Sequence, residues 1–159
     1  MPIQTDIQKQ VWNDFLLKYK KKLKNYVPII FDDSDYCAVI VEPRNHEDLE
    51  IICKNVMFYL NESSSDIKWG LKIYHGNKNE QLVKDFTQNW NNVQIENLEV
   101  DDLNGSMYND MLKTTKFWKS IPTENVLIFQ TDTILRRFGI DNFISYNYIG
   151  APWIRYREG

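Results

Sequence analysis

The chain has 159 residues and a formal net charge of −3, from 19 Lys and Arg against 22 Asp and Glu. Its apolar share of 43% and charged share of 26% are typical of a globular protein, and its length suits one ordinary domain. Neutralising many phosphates needs clustered Lys and Arg, so this balance argues against a nucleic-acid partner. No run approaches the roughly 18 to 20 apolar residues of a membrane span. We therefore expect no membrane span, and the first ten residues lack the features of a secretory signal.

The first predicted element is a polar helix over residues 4–26, with an apolar side chain about every four residues. The basic run Lys18–Lys24 ends it, where cations complement the helix dipole, and an anionic partner is the weaker alternative. A proline and an acidic turn follow. We predict a helical arm over residues 1–30 and the main domain over residues 31–159.

The rest of the chain alternates short apolar runs with helical periodicity. Strands are predicted over residues 36–41, 69–74, 93–98 and 126–129, and helices over residues 46–62, 79–90 and 104–118. This alternation indicates an α/β fold, with a parallel sheet that has helices on both faces. In such sheets ligands bind beyond the carboxyl ends of the strands, near the point where strand order reverses.

Polar residues follow three of these strands and are the candidate site residues. They are Glu42 and Arg44 after the first strand, His75 and Gly76 after the second, and Gln130, Thr131, Asp132 and Thr133 after the fourth. Arg44 could bind a phosphate or a carboxylate in bidentate fashion, or form a local ion pair with Glu42. Asp132 could bind a hard divalent cation, with water and diphosphate oxygens as the other ligands. Alternatively, Asp132 or Thr133 caps the next turn.

Several kinds of site lack support in the sequence. Neither GxGxxG nor GxxxxGK[ST] occurs in the sequence. A kinase or nucleotidyltransferase is a third alternative, but the sequence lacks the phosphate-binding loop that such an enzyme would need. There is no GxSxG elbow, and His46 and His75 have no nucleophile partner. Cys37 and Cys53 lack zinc-site spacing, so we expect two small buried thiols in a reducing compartment.

The segments Asn125–Thr133 and Tyr146–Trp153 carry a family resemblance. They resemble domain of unknown function 5672, a glycosyltransferase-like family with members in bacteria, fungi and large DNA viruses. FQTD and YIGAPW are the specific pieces, and the similarity covers about residues 36–153. It extends upstream through Glu42–Arg44, His75–Gly76, Tyr108–Asn109 and Phe117–Trp118.

This resemblance implies a GT-A-like αβα layer with a mostly parallel sheet, as in nucleotide-diphospho-sugar transferases, preceded by the N-terminal helix. It implies that Asp132 takes the place of the metal-binding carboxylate of a DxD motif, with Mn²⁺ or Mg²⁺ as cofactor. Gln130 stands at the first position of that motif, so Gln130-Thr131-Asp132 is degenerate and carries one formal negative charge.

The same resemblance implies where a nucleotide-diphosphate sugar would lie. Val41, Glu42 and Arg44 would lie by the nucleobase and ribose, as the end of the first strand does in the GT-A fold. His75 and Gly76 would line the same pocket, beside the diphosphate at the degenerate DxD.

The function implied is a glycosyltransferase, of which this chain carries the donor-binding part. Related proteins continue into a Gly-rich segment and acceptor-binding elements, so the domain is expected to be C-terminally incomplete, with its glycan or protein acceptor unspecified. No general base for an acceptor hydroxyl is visible. A non-catalytic GT-A-like binding or assembly protein is the alternative, and an uncovered edge would promote a homo-oligomer. The expected location is the cytoplasm, which includes the cytoplasm of a virus-infected host cell.

Overall fold

The computed structural model of the chain describes residues 6–150, which form an α/β fold with an N-terminal helix. The helices are α1 (Asp6–Lys22), α2 (Leu49–Asn61), α3 (Glu80–Thr87), α4 (Gly105–Leu112), α5 (Thr115–Ser120) and a short 3₁₀ helix (Ile140–Phe143). The strands are β1 (Tyr36–Val41), β2 (Trp69–His75), β3 (Gln94–Asn97) and β4 (Asn125–Phe129). The predicted alternation of strands and helices is confirmed. The Ala151–Trp153 part of the YIGAPW piece lies outside the described residues.

The four strands form one parallel sheet in the order β3-β2-β1-β4. The chain runs outward from β1 to β2 to β3 and then returns to the far side of β1 as β4. Strand order therefore reverses between β1 and β4. This is the position at which ligands bind in open parallel sheets.

Helices cover both faces of the sheet. Alternate side chains of each strand point to opposite faces, and those of β1 are apolar on both. On one face, here the α2 face, Ala38 and Ile40 of β1 join a core that includes α1, α2 and α3. On the other, the α5 face, Cys37, Val39 and Val41 pack with Phe117 and neighbouring side chains of α4 and α5. The layering is thus helix, sheet, helix, as expected for an αβα layer.

The N-terminal helix packs on the α2 face through the buried Leu16 and Tyr19, and Leu23, directly after the helix, is buried in the same core. The Tyr19 hydroxyl lies 3.0 Å from that of Tyr59 in α2. Lys20, from the basic run at the end of α1, forms a 2.6 Å ion pair with Asp48. Helix α1 and the sheet therefore share one core, while the predicted boundary at residue 30 stays a prediction.

The predicted single helix over residues 104–118 is wrong, since the chain forms α4 and α5 there. Asn104 caps α4 as predicted, and its side chain accepts a 3.0 Å hydrogen bond from the Met107 N–H. Thr114 then adopts an extended conformation and caps α5, accepting from the Phe117 N–H. A second capping residue inside the apolar pattern ends one helix and begins the next.

Both cysteines are buried and unpaired, as predicted. Burial raises the pKa of the Cys37 thiol to about 11, so it stays protonated at neutral pH. A thiol in that state is a poor nucleophile. Among the helices of residues 6–150, none is long and apolar enough to cross a membrane.

Candidate functional site at the carboxyl edge of the sheet

The loops that follow β1 and β4 meet where the strand order reverses. The Thr131 hydroxyl, after β4, donates a 3.4 Å hydrogen bond to the Glu42 carboxylate, after β1. These residues are 89 positions apart in the chain, and only the parallel pairing of β1 with β4 brings them together. We call this region, with Arg44, Gly76, Asn79 and Asp132, the carboxyl-edge site.

Glu42 and Arg44 form the best-defined contact of the carboxyl-edge site. The Arg44 Nε donates to Glu42 Oε1 and its Nη2 to Oε2, each at 2.8 Å, and the Arg44 backbone N–H donates to Oε1 at 2.9 Å. The Glu42 side chain is only 4% exposed, whereas that of Arg44 is 58% exposed. The local ion pair predicted as one alternative is therefore present. Its carboxylate organises the turn, and the outer side of the guanidinium still faces solvent.

The ion pair also fixes the charge state of this turn. Burial is the largest single influence on the pKa of Glu42, and it opposes ionisation. The hydrogen bonds and charge of Arg44, together with the charge of His46, outweigh it and hold the pKa of Glu42 below the ordinary value of 4.5. The hydrogen bond to Glu42 in turn raises the pKa of Arg44. Both groups are therefore charged at neutral pH.

The lowered pKa of Glu42 predicts how stability depends on pH. A carboxyl with a depressed pKa in the folded protein stabilises it above the unfolded pKa, and this contribution is lost as the pH falls through the folded value. The free energy of unfolding should therefore fall below pH 4.5. We expect Glu42→Gln to be less stable at neutral pH and to lose part of this acid dependence, measured by urea unfolding from neutral to acid pH. Glu124→Gln, at an exposed position, is the control, and an unchanged acid dependence in Glu42→Gln would contradict the assignment.

Asn79 holds the first two loops of the carboxyl-edge site together and was not among the predicted site residues. Its side-chain N–H groups donate to the carbonyls of Glu42 at 2.7 Å and Arg44 at 2.9 Å, and its Oδ1 accepts from the Gly76 N–H at 2.8 Å. The residue is completely buried. Its only sequence signal was its place at the start of the helix predicted over residues 79–90, because its partners are the distant carbonyls after β1.

Gly76 and His75 lie beneath these loops. A Cβ at Gly76 would lie 2.6 Å from the carbonyl oxygen of Pro43 and closer still to that of Val100. The loops after β1 and β3 thus pass directly over Gly76. The His75 ring is buried, and its Nδ1 lies 2.8 Å from the Gly76 carbonyl. Both residues are at the predicted edge, where they are packed under the loop backbones.

The turn after β4 carries the predicted metal ligand. The Thr133 N–H donates to the Gln130 carbonyl, and the Thr133 hydroxyl accepts from the Gln130 N–H, so Thr133 closes the turn as the capping alternative proposed. Beyond it, the backbone of Leu135 exchanges two hydrogen bonds with the buried Asn55 side chain of α2. Asp132 is exposed and, within residues 6–150, its carboxylate has no hydrogen bond or ion pair.

The donor set restricts how a metal ion could bind. Among the residues that the structure describes, no three His, Cys, Asp or Glu side chains lie close enough together to hold one. Glu42 is occupied by Arg44, whereas the carboxylate of Asp132 has no partner within residues 6–150. Mg²⁺ is commonly held by one or two carboxylates, with phosphate oxygens and waters as its other ligands. Asp132 fits that mode of binding.

A surface groove is lined by residues outside the carboxyl-edge site. It encloses about 410 Å³ beside α2 and α3, and Lys24, Lys54, Phe86 and Trp90 are among its lining residues. None of the predicted site residues lines it. It therefore adds no support to the predicted function.

Comparison with known protein families tests the resemblance found in the sequence. Residues 92–158 match the family described as "Protein of unknown function (DUF5672)". The resemblance is confirmed over this part of the chain. No curated protein and no solved structure matches the chain.

The DUF5672 segment supplies two of the six residues of the carboxyl-edge site, Thr131 and Asp132. It includes β3, α4, α5, β4 and the turn with Thr131 and Asp132. Glu42, Arg44 and Asn79 lie upstream of the matched residues. The family description names no activity, so function has to be argued from the geometry of the site.

Proposed function

We propose that the carboxyl-edge site binds a nucleotide-diphosphate sugar, as the donor-binding part of a glycosyltransferase. The proposal rests on one observation. An exposed guanidinium after β1 and a free carboxylate after β4 lie on either side of the point where the strand order reverses. The hydrogen bond between Thr131 and Glu42 joins the two loops that carry them. A guanidinium and a carboxylate that can hold a divalent cation are complementary to a diphosphate.

Each residue would have a separate task. Arg44, held by Glu42, would bind a phosphate through its exposed N–H groups, since its planar fork matches phosphate oxygens. The carboxylate of Asp132 would hold Mn²⁺ or Mg²⁺ against the diphosphate. When bound, such a cation stabilises the negative charge on a leaving diphosphate. Val41, at the end of β1, would lie beside the nucleobase and ribose, with His75 and Gly76 packed under the neighbouring loop.

Binding without transfer is the second candidate, and a specific observation favours it. Gln130 replaces the first carboxylate of the expected DxD, so the turn offers a cation one formal negative charge. Fewer anionic ligands weaken the attraction of a divalent cation. Under this candidate the chain keeps the donor site for binding or assembly.

Asp132→Ala tests the proposed cation site. Because Asp132 is exposed and unpaired within residues 6–150, the variant should keep its unfolding free energy within about 0.5 kcal/mol. A nucleotide sugar should raise the melting temperature of the unmodified protein in Mn²⁺ by mass action, and this rise should be lost in the variant. The measurement is thermal unfolding with UDP-glucose, UDP-GlcNAc and GDP-mannose, with and without Mn²⁺. Asp66→Ala, at an exposed aspartate before β2, is the matched control.

The outcomes separate the candidates. If no nucleotide sugar shifts the melting temperature, and Asp132→Ala behaves like the unmodified protein in Mn²⁺, the donor site is contradicted. Binding together with donor hydrolysis or transfer supports the glycosyltransferase. Binding without either reaction supports the non-catalytic candidate.

A further inference from the structure

The basic run at the end of α1 is divided by the fold. Lys20 is engaged by Asp48. Lys18 and Lys22 lie one turn apart on one side of the helix, are exposed, and form no ion pair within residues 6–150. The Lys22 ammonium lies 4.3 Å from the centre of the Phe58 ring in α2, a cation–π contact that leaves its charge uncompensated. Two cations of the run are therefore available to an anionic partner.

Two further cations reach the same surface from the segment that follows β4. The guanidinium of Arg136 lies 4.8 Å from the centre of the Phe15 ring of α1. Phe138 packs against Phe58, the ring that the α1 lysine also contacts, with 5.9 Å between ring centres. These contacts place the segment beside the basic side of α1. We define the α1 basic face as the exposed side chains of Lys18, Lys22, Arg136, Arg137 and Phe138.

The α1 basic face has an excess of positive charge. It carries four cations, whereas the whole chain has a net charge of −3. Asp14, one turn before Lys18, forms no ion pair within residues 6–150. The sequence outside that range does not supply the missing anions, because residues 1–5 contain no Asp or Glu and residues 151–159 contain two arginines and one glutamate. The charge of this face is therefore complementary to an anionic partner.

Exposed apolar side chains accompany these cations and restrict the kind of partner. Phe138 is 45% exposed, and Val11, one turn before Phe15 on α1, is 48% exposed. A nucleic acid would meet the charges through its phosphates, but it offers no apolar environment to an aliphatic side chain. A bilayer with anionic lipids offers both, since Lys and Arg contact the headgroups while apolar side chains enter the boundary with the acyl chains.

We propose that the α1 basic face binds the surface of a membrane that contains anionic lipids. Its four cations contact the lipid headgroups, and Phe138 enters the boundary between headgroups and acyl chains. This is binding at the surface, and among the helices of residues 6–150 none is long and apolar enough to cross a membrane. The proposal requires no ligand at the carboxyl-edge site, so it stands or falls independently of the donor site.

Sedimentation with lipid vesicles is the first test. The unmodified chain should sediment with vesicles of mixed phosphatidylserine and phosphatidylcholine and stay in solution with vesicles of phosphatidylcholine alone. Binding should weaken as the salt concentration rises, because salt screens exposed charges. A chain that does not bind the mixed vesicles, or binds both kinds equally, would overturn the proposal.

A pair of charge variants locates the binding surface. Arg136→Gln with Arg137→Gln should weaken binding to the mixed vesicles about 25-fold, since each Lys or Arg near an anionic bilayer contributes roughly a factor of five. Lys116→Gln with Lys119→Gln makes the same change in net charge at exposed positions of α5, on the opposite face of the sheet, and should bind as the unmodified chain does. Equal losses in the two variants, both folded by circular dichroism, would contradict binding through the α1 basic face.

Phe138→Ala separates a membrane from a soluble polyanion. It leaves every charge in place, so it should weaken binding to the mixed vesicles only if the ring enters the bilayer. Met107→Ala is the control, because Met107 has the same 45% exposure and lies in α4, on the α5 face. If Phe138→Ala binds the vesicles as tightly as this control does, and the unmodified chain binds poly(U) RNA more tightly than vesicles, the partner is a soluble polyanion and the membrane proposal is wrong.

Discussion

Replacing Gly76 by alanine should lower the free energy of unfolding by about 2–4 kcal/mol. The new methyl group would meet the carbonyl oxygens of Pro43 and Val100, which are backbone atoms of two different loops. A flexible side chain could rotate away, but these loops are fixed by hydrogen bonds, including those of Asn79. To accommodate the methyl group, the loops after β1 and β3 must separate. Urea unfolding monitored by tryptophan fluorescence measures the loss.

Gly105→Ala is the matched control, because it makes the same chemical change in open space. A Cβ at Gly105 would have no neighbour within 4 Å, and the residue is the first of α4. Alanine favours helix over glycine by up to about 1 kcal/mol, so Gly105→Ala should be neutral or slightly stabilising. Equal effects of the two substitutions would show that the loops do not pack tightly over Gly76.

Asn79→Ala should lower the free energy of unfolding by a similar amount, about 2–4 kcal/mol. It removes three hydrogen bonds and leaves the buried Gly76 N–H and the carbonyls of Glu42 and Arg44 without their partner. Asn79→Asp should be no better, since a carboxylate can accept from Gly76 but cannot donate to the two carbonyls. Urea unfolding of both variants at neutral pH makes the measurement.

Asn77→Ala is the control for that pair of variants. Asn77 is two residues away and exposed, and its side chain accepts one hydrogen bond from the exposed Asn97 amide. The cost should stay within about 0.5 kcal/mol. If Asn79→Ala were as mild as this control, the three hydrogen bonds would not hold the loops together in solution.

These two predictions bear on the proposed function through Arg44. Asn79 bonds to the Arg44 carbonyl, and Glu42 bonds to the Arg44 side chain and N–H. Asn79 thus fixes the backbone of Arg44, and Glu42 fixes its guanidinium. A side chain positioned in this way loses less conformational entropy when it binds an anion. The scaffold can be tested by unfolding alone, before any donor is identified.

The sequence by itself determined the α/β class, the four strands and the positions of the polar residues that follow them. Buried parallel strands are continuous apolar runs, and Tyr36–Val41 is one, so its bounds were predicted correctly. The helix break at Thr114 was missed because both sides of it share one apolar periodicity. The sequence also offered an ion pair between Glu42 and Arg44 as one of two alternatives, since residues two positions apart around a turn can lie close together.

Only the tertiary structure decided which of those polar residues meet. The return of the chain from β3 to the far side of β1 brings Thr131 to Glu42, and no local pattern specifies a strand order. The role of Asn79 was hidden for the same reason, because it bonds to main-chain carbonyls, whose positions depend on the fold and carry no side-chain signature. Composition and periodicity record burial and local geometry. Long-range pairing depends on how the whole sheet assembles.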